Sequence, residues 1–261
     1  MWIISEIGFI GGGRITRLLL TALSKKQALP DTILISDPDE ATLRKALAIA
    51  PDRILSRSGK NAVATADVIF LAVHPPVVAS VAADIRNQLG DRSILVSLVP
   101  GISSRKLSEL LDGFSRIVRM IPNAPSIMHQ GYNPVAFFPE IAENQKTQLL
   151  SLFSHWGHIV EVAERKLEAY AVLTGMGPTY FWFQWLELDR LGESFGLSPA
   201  ELKPALAGML HGAAETLFNS NMTVTDVLDL LPGYPLKKHE ADICGMLNET
   251  VSSLFAKLAA K

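Results

Sequence analysis

The chain has 261 residues, 48% hydrophobic and 19% charged, which is enough apolar material for one large domain or two ordinary ones. Its 24 basic and 26 acidic side chains leave a formal charge of −2, which gives no basic footprint for nucleic acid. A single cysteine, Cys244, excludes an intramolecular disulfide framework, and no apolar run approaches the ~20 residues of a membrane helix. The N-terminus runs straight into Trp2-Ile3-Ile4 and a glycine cluster, without the basic-then-apolar order of a signal peptide, so a cytoplasmic protein is expected.

Up to residue 162, short apolar strands alternate with helical patterns. Strands are expected at Trp2–Ile10, Thr32–Ser36, Val68–Val73, Ser93–Leu98, Arg116–Ile121 and Pro134–Phe138, with an edge strand over Gly157–Val162. Between them, Ile15, Leu18, Leu19, Ala22 and Leu23 line one helical face, and Val77, Val78, Val81, Ala82, Ile85 and Leu89 another. This alternation predicts an α/β domain over 1–162, with a mostly parallel sheet and helices on both faces. From 163 to 261 no strand is convincing, and an all-α domain is expected. Ser198 and Glu201 form a capping box ahead of the stripe Leu202, Ala205, Leu206, Met209, Leu210, Ala213 and Leu217. A second stripe runs from Ile243 to Leu258, and Cys244 on it reads as core. The stretch Tyr180–Leu186 is apolar nearly all round and must be covered, which predicts a homodimer or larger homo-oligomer.

The glycine cluster Ile7-Gly8-Phe9-Ile10-Gly11-Gly12-Gly13-Arg14-Ile15-Thr16 ends the first strand and opens the first helix. Gly11 and Gly13 fit the first two positions of the dinucleotide fingerprint: one allows the tight turn, the other lets backbone approach a pyrophosphate. The third position is Thr16, bulky for close helix–strand packing. The second strand ends at Ser36-Asp37, 26 positions after Gly11. Asp37 either accepts hydrogen bonds from ribose hydroxyls, favouring NAD, or caps the next helix with Pro38 at its first position. Arg14 could offset Asp37 if the cofactor is NADP.

The order of further motifs resembles the pyrroline-5-carboxylate reductase family over nearly the whole chain. Asn61-Ala62-Val63 and Ala66–Pro75 resemble the family's asparagine and its "D-V-I-[IF]-L-A-V-K-P-Q" strand end, and Ser97–Ile102 the next strand and turn. Arg119–Pro125 with Gly131 resembles "R-x-M-P-N-T-P" and its following glycine, and Thr174–Tyr180 resembles "S-G-S-G-P-A-Y". The resemblance implies a Rossmann domain followed by a helical domain that dimerises by intertwining, with the nicotinamide in a cleft between them. It implies NADP or NAD as cofactor and hydride transfer to the C=N of a small cyclic imino acid. By carry-over, Gly11, Gly13, Arg14 and Ile15 border the pyrophosphate, and Ser36 and Asp37 lie near the adenosine with Asn61 close by. Ala72, Val73, His74 and Pro75 edge the cofactor, and Pro122 and Asn123 approach the nicotinamide. Thr174, Gly175, Met176, Gly177 and Thr179 form the substrate turn, with Thr174 and His74 as candidate catalytic side chains. The remaining histidines are scattered without metal-ligand spacing, so no metal is expected.

The departures from the family concern the substrate. The lysine and glutamine of K-P-Q are His74 and Pro76, the second serine of S-G-S-G is Met176, and the alanine before the tyrosine is Thr179. A P-G-G-T-T-type loop that holds the substrate carboxylate is replaced by Leu231-Pro232-Gly233-Tyr234-Pro235-Leu236. Lys237, Lys238 and His239 follow, either as substitute positive charge or as a solvated loop. Two other readings therefore stand beside the first: a related dehydrogenase or reductase acting on a different small carboxylate, and a dinucleotide-binding homologue without turnover.

Overall fold

A computed structural model describes residues 2–57 and 59–260. Eight strands form one sheet: β1 (Glu6–Ile10), β2 (Thr32–Ser36), β3 (Ile54–Ser56), β4 (Val68–Leu71), β5 (Ile94–Ser97), β6 (Ile117–Met120), β7 (Gly131–Phe137) and β8 (Gly157–Glu161). Their spatial order is β3-β2-β1-β4-β5-β6-β7-β8. The first six are parallel to their neighbours, β7 runs antiparallel to β6, and β8 is parallel to β7. The near-continuous apolar sequences of β1, β4 and β5 suit strands buried on both faces.

Helices cover both sides of this sheet. On one, α1 (Arg14–Lys25) and α6 (Glu143–Ser154) bring Leu19, Leu23, Leu149 and Phe153 against Phe9 and Phe70. On the other, α3 (Lys60–Val63), α4 (Val78–Ile85) and α5 (Ser104–Leu110) bring Val63, Val81, Ile85 and Leu107 against Ile69 and Leu95. The remaining sheet-side helices are α2 (Glu40–Leu47) and α7 (Leu167–Tyr170). The expected fold class is thus present. The strand order switches sides between β1 and β4 while the strands stay parallel, so the C-terminal ends of β1, β2 and β4 open on the crevice where doubly wound sheets hold ligands.

Three details differ from the sequence expectation. β3 carries only three residues, two of them exposed, too short and too wet to give a strand pattern. The first strand begins at Glu6; Trp2 is instead a buried wedge whose indole N–H donates to the Arg92 carbonyl at 2.9 Å. β7 starts at Gly131 and returns antiparallel along β6, with Val118 opposite Phe137.

Packing divides the chain into Met1–Met176 with Ser253–Lys261, and Gly177–Ser252. The sequence texture changes at 162, whereas the packing division falls at 176, because Leu167 and Ala171 are buried against Ile121 and Ala136 of the sheet unit. The second unit holds α8 (Gly177–Ser194), α9 (Pro199–Asn219), α10 (Val224–Leu228) and most of α11 (Glu240–Ala259). Its α8 and α9 meet where Leu202 is buried beside Gly192, and a Cβ on Gly192 would collide with the Leu202 side chain. Pro199 occupies the first position of α9, and the Glu201 carboxylate accepts from the Ser198 amide at 2.8 Å. Cys244, expected in the core, is exposed on α11, because that helix buries no side chain among its described residues.

Candidate active site

The glycine loop is built by geometry that only glycine meets. Gly11 has φ +102°, and a Cβ there would run into the Ala72 carbonyl at the end of β4. Its amide donates to the Ser36 carbonyl at 2.8 Å, which ties the turn to the end of β2. Gly13 is the N-cap of α1, and a Cβ there would meet nothing within 4 Å. The loop therefore presents open space at the amides that begin a 12-residue helix, a setting that favours an anion and fits a dinucleotide pyrophosphate. Thr16 is fully buried, and its hydroxyl donates to the Gly11 carbonyl at 2.6 Å. That bond explains a threonine at the third fingerprint position: its bulk is accepted because it closes the loop from beneath. Arg14 is exposed and Ile15 half-buried at the start of the same helix.

Asp37 does not cap α2. Asp39 does, accepting from the amides of Ala41 and Thr42, and the Thr42 hydroxyl together with these amides holds its carboxyl below the usual range. Asp37 instead accepts from the Gly12 amide at 2.7 Å through Oδ2 and from the Asp39 amide at 2.8 Å through Oδ1. It stitches the glycine loop to the end of β2. Beside it lies a cleft of ≈590 Å³ whose walls include Ser36, Asp37, Asn61, Ser56, Arg57 and Lys60. The first three were expected from sequence. The last three were not, because they end or follow β3, which left no pattern; the polar and basic run Ser56-Arg57-Ser58-Gly59-Lys60 was the signal available.

At the end of β4, the Ala72 amide donates to the Ile10 carbonyl at 2.9 Å, holding Ala72 and Val73 beside the glycine loop. His74 is exposed and starts the 3-10 turn Pro75–Val77. After β6, Asn123 is buried, with Pro122 half-buried before it. The Asn123 side chain is a clamp: its Nδ2 donates to the Thr174 carbonyl at 3.3 Å, and its Oδ1 accepts from the Tyr132 amide at 3.1 Å. Thr174 and Gly175 belong to a π-helical turn, Ala171–Gly175, in which the Met176 amide reaches back to the Ala171 carbonyl at 3.0 Å. Such turns are rare and concentrate at functional sites. The Thr174 hydroxyl donates to the Tyr170 carbonyl at 2.9 Å, so its proton is committed and its lone pairs are left as acceptors.

Arg119, on β6, fixes the segment that leads into this turn. It is 2% exposed, and its guanidinium reaches Glu164 at 3.0 Å and Glu168 at 2.7 Å. Burial alone would raise the Glu164 carboxyl, but hydrogen bonds from the Ser104 amide and hydroxyl and from Arg119 outweigh it and hold the group below its ordinary value.

In the second unit, Gly177 is buried at the start of α8 and Thr179, two residues on, is exposed. The Tyr234 hydroxyl donates to the Leu228 carbonyl at the end of α10, and Lys237 pairs with Glu240 at 2.6 Å. The altered loop thus spends its new polar groups on itself. Among the described residues no cluster of histidine, cysteine or acidic side chains is arranged for a metal, and no helix is long and apolar enough to cross a membrane.

Residues 6–101 match a family described as "NADP oxidoreductase coenzyme F420-dependent". Curated relatives include the pyrroline-5-carboxylate reductase of Corynebacterium melassecola, 29% identical over 216 residues, covering 80% of this chain and 78% of the relative. Human pyrroline-5-carboxylate reductase 2 is 29% identical over 220 residues, covering 82% of this chain and 68% of that one. The chain is thus similar, over most of its length, to pyrroline-5-carboxylate reductases. The fold agrees. A crystal structure of Plasmodium falciparum pyrroline carboxylate reductase with NADP bound superposes with a TM-score of 0.79 at 21% identity, covering 100% of this chain and 97% of that one. The corresponding reductase of Coxiella burnetii gives 0.72 at 23% identity, covering 99% and 97%. Beside that similarity, this chain carries an open glycine loop and the Asn123–Thr174 clamp, and its Leu231–Leu236 segment is the one that departs from the motifs named above.

Proposed function

We propose that the protein is an NAD(P)H-dependent reductase that transfers hydride to the C=N of a small cyclic imino acid, as the pyrroline-5-carboxylate reductases do. The observation that carries this reading is the clamp between Asn123 and the π-helical turn of Thr174, set at the sheet's ligand end together with an open glycine loop. Gly11, Gly13, Arg14 and Ile15 hold the pyrophosphate by helix amides and charge. Ser36, Asp37 and Asn61 border the adenosine, and Ala72, Val73, His74 and Pro75 line the approach to the nicotinamide end. Pro122 and Asn123 stand where the reacting ring is positioned, and Thr174, Gly175, Met176, Gly177 and Thr179 form the substrate turn.

The reduced dinucleotide supplies the hydride; the chain supplies position and electrostatics. With its proton held by Tyr170, the Thr174 hydroxyl acts as an acceptor and orients a protonated imine rather than protonating it. His74 is exposed at the end of β4. The working form is a homodimer. Phe181, Trp182, Phe183 and Leu186 of α8 are exposed in the isolated chain, and a second copy of this helical unit would cover them.

A second reading keeps the hydride chemistry and changes the carboxylate substrate. The loop observation favours it: Pro235 has no amide to offer, and the Tyr234 hydroxyl is already bonded to Leu228. Loss of the reduced nicotinamide's absorbance in the presence of pyrroline-5-carboxylate is the deciding assay. Turnover by the native chain supports the first reading. Turnover only after Met176→Ser and replacement of Tyr234-Pro235-Leu236 by Gly-Thr-Thr supports the second, and a protein that binds dinucleotide yet turns over in neither form is a binding homologue.

A further inference from the structure

Behind the Asn123 clamp lies a buried polar network that the proposed reaction does not itself use. Asn133, on β7, and Ser126, in the 3-10 turn Ala124–Met128, are both fully buried. Asparagine is a poor strand former, and a buried amide costs stability unless it is bonded. Here both ends of the side chain are engaged. Its Oδ1 accepts from the Asn123 amide at 3.3 Å and from the Ser126 hydroxyl at 2.9 Å, while its Nδ2 donates to the Trp156 carbonyl at 3.3 Å. Two donors on one side and a carbonyl on the other fix which way the amide faces. The backbone is shaped around it. A Cβ on Gly131 would fall on the Ser126 hydroxyl and stand 2.6 Å from Asn133 Nδ2, and a Cβ on Gly157 would strike the Gly131 backbone. Two glycines thus bring the starts of β7 and β8 close enough for this amide to bridge them.

Resting on the imino-acid reductase reading above, we propose that Asn133, backed by Ser126, is a positioning residue for the reduction: it holds the Asn123 backbone so that the Asn123 side chain keeps Thr174 in place for the substrate. The path is short. Asn133 Oδ1 accepts from the Asn123 amide, and Asn123 Nδ2 donates to the Thr174 carbonyl. The Tyr132 amide, next to Asn133 in the strand, donates to Asn123 Oδ1. Asn123 is therefore tied by its backbone and by both ends of its side chain, twice to adjacent residues of β7. The glycine loop is tied separately, to Ser36, Asp37 and Thr16. A loosened Asn133 thus reaches the imine end of the site and leaves the pyrophosphate end alone. Hydride transfer depends steeply on how well the reacting atoms are placed, so the loss falls on the chemical step.

The test compares Asn133→Val with Asn133→Thr, two strand-forming side chains of similar shape that differ by a hydroxyl able to accept from the Asn123 amide. Turnover of pyrroline-5-carboxylate and equilibrium binding of reduced dinucleotide are measured on the folded protein. Asn133→Val is expected to lower kcat about 10-fold to 100-fold, the range set by one buried polar group left unpaired, with dinucleotide affinity at its native value. Asn133→Thr is expected to recover part of that loss. Ser126→Ala, which removes one donor and leaves Asn133 in place, should lower kcat about 2-fold to 10-fold. Native kcat in folded Asn133→Val would overturn the proposal; if that variant does not fold, native kcat in Ser126→Ala overturns it. Equal kcat in the Val and Thr variants, or a matching loss of dinucleotide affinity, would make the network a structural support only and overturn the proposal too. A native protein that binds dinucleotide but does not turn over this substrate would overturn the imino-acid reading, and the positioning role falls with it.

Discussion

In the sheet-bearing unit, Phe9, Phe70, Phe153 and Trp156 are fully buried and stack on one another, with Phe9 and Phe70 ring centroids 4.6 Å apart. In the helical unit, Phe181, Trp182, Phe183 and Phe218 are of the same chemical kind and lie exposed. One unit closes its own core; the other keeps its largest apolar groups for a surface that something must cover. The difference teaches where each half of the function resides. Dinucleotide binding needs a rigid crevice and sits on the self-sufficient sheet. The helical unit has few buried positions among its described residues, so the proposed homodimer would add the cover that its own chain does not supply.

The sharpest way to break the first half of that contrast is to unpair its buried charge cluster. Arg119→Met leaves Glu164 and Glu168 without their cation and is expected to cost about 3–5 kcal/mol of stability, measured by urea unfolding. The same cluster predicts a pH dependence. Because the folded Glu164 carboxyl titrates below its ordinary 4.5, its contribution is complete above that value and is lost as pH falls through the folded one. Glu164→Gln should flatten stability against pH in that acid window; an unchanged acid limb would show that other carboxylates govern it.

Next in size is Gly11→Ala. The left-handed backbone alone costs about 1–2 kcal/mol, and the added methyl meets the Ala72 carbonyl. Binding of reduced dinucleotide, followed by fluorescence titration, should be lost or sharply weakened. Retention of native affinity would mean that the loop is a structural turn only. For the helical unit, the contrast predicts concentration dependence. The melting temperature followed by helical circular dichroism should rise with protein concentration, and Phe183→Glu should lower it and shift sedimentation toward monomer. A concentration-independent melt would show that the unit folds without a partner.

The legibility of the sequence follows the same division. Apolar runs such as Val68–Leu71 marked the strands because they are buried on both faces, and the glycine loop was readable because φ at Gly11 admits almost nothing else. β3 was not readable, since three residues with two in solvent carry no period, and Arg57 was hidden with it. The antiparallel return of β7 was hidden too: strand direction is set by the connection through Ala124–Met128, not by side-chain alternation. Asp37 was assigned between two roles by spacing; the cap falls to Asp39, and the bond that Asp37 accepts from the Gly12 amide is one that no side-chain pattern reports. Cys244 was misplaced because a helical stripe looks the same whether its cover is the same chain or open surface.

The smallest expected effect tests whether the rebuilt loop belongs to the substrate half alone. Thr223 accepts from the Asp226 amide at 3.2 Å while Asp226 accepts from the Thr223 amide at 3.1 Å, so α10 begins with a complete capping box. It ends where the Tyr234 hydroxyl reaches the Leu228 carbonyl, and α10 and the loop after it are therefore held at both ends by local bonds. Tyr234→Phe removes one of these, worth about 0.5–1.5 kcal/mol net. If the loop serves the carboxylate substrate, kcat/KM should fall by the corresponding factor while the affinity for reduced dinucleotide stays at its native value, because the glycine loop is tied by Asp37 and Thr16 within the sheet-bearing unit. A parallel loss of dinucleotide affinity would instead make the Tyr234 bond a support of the whole site.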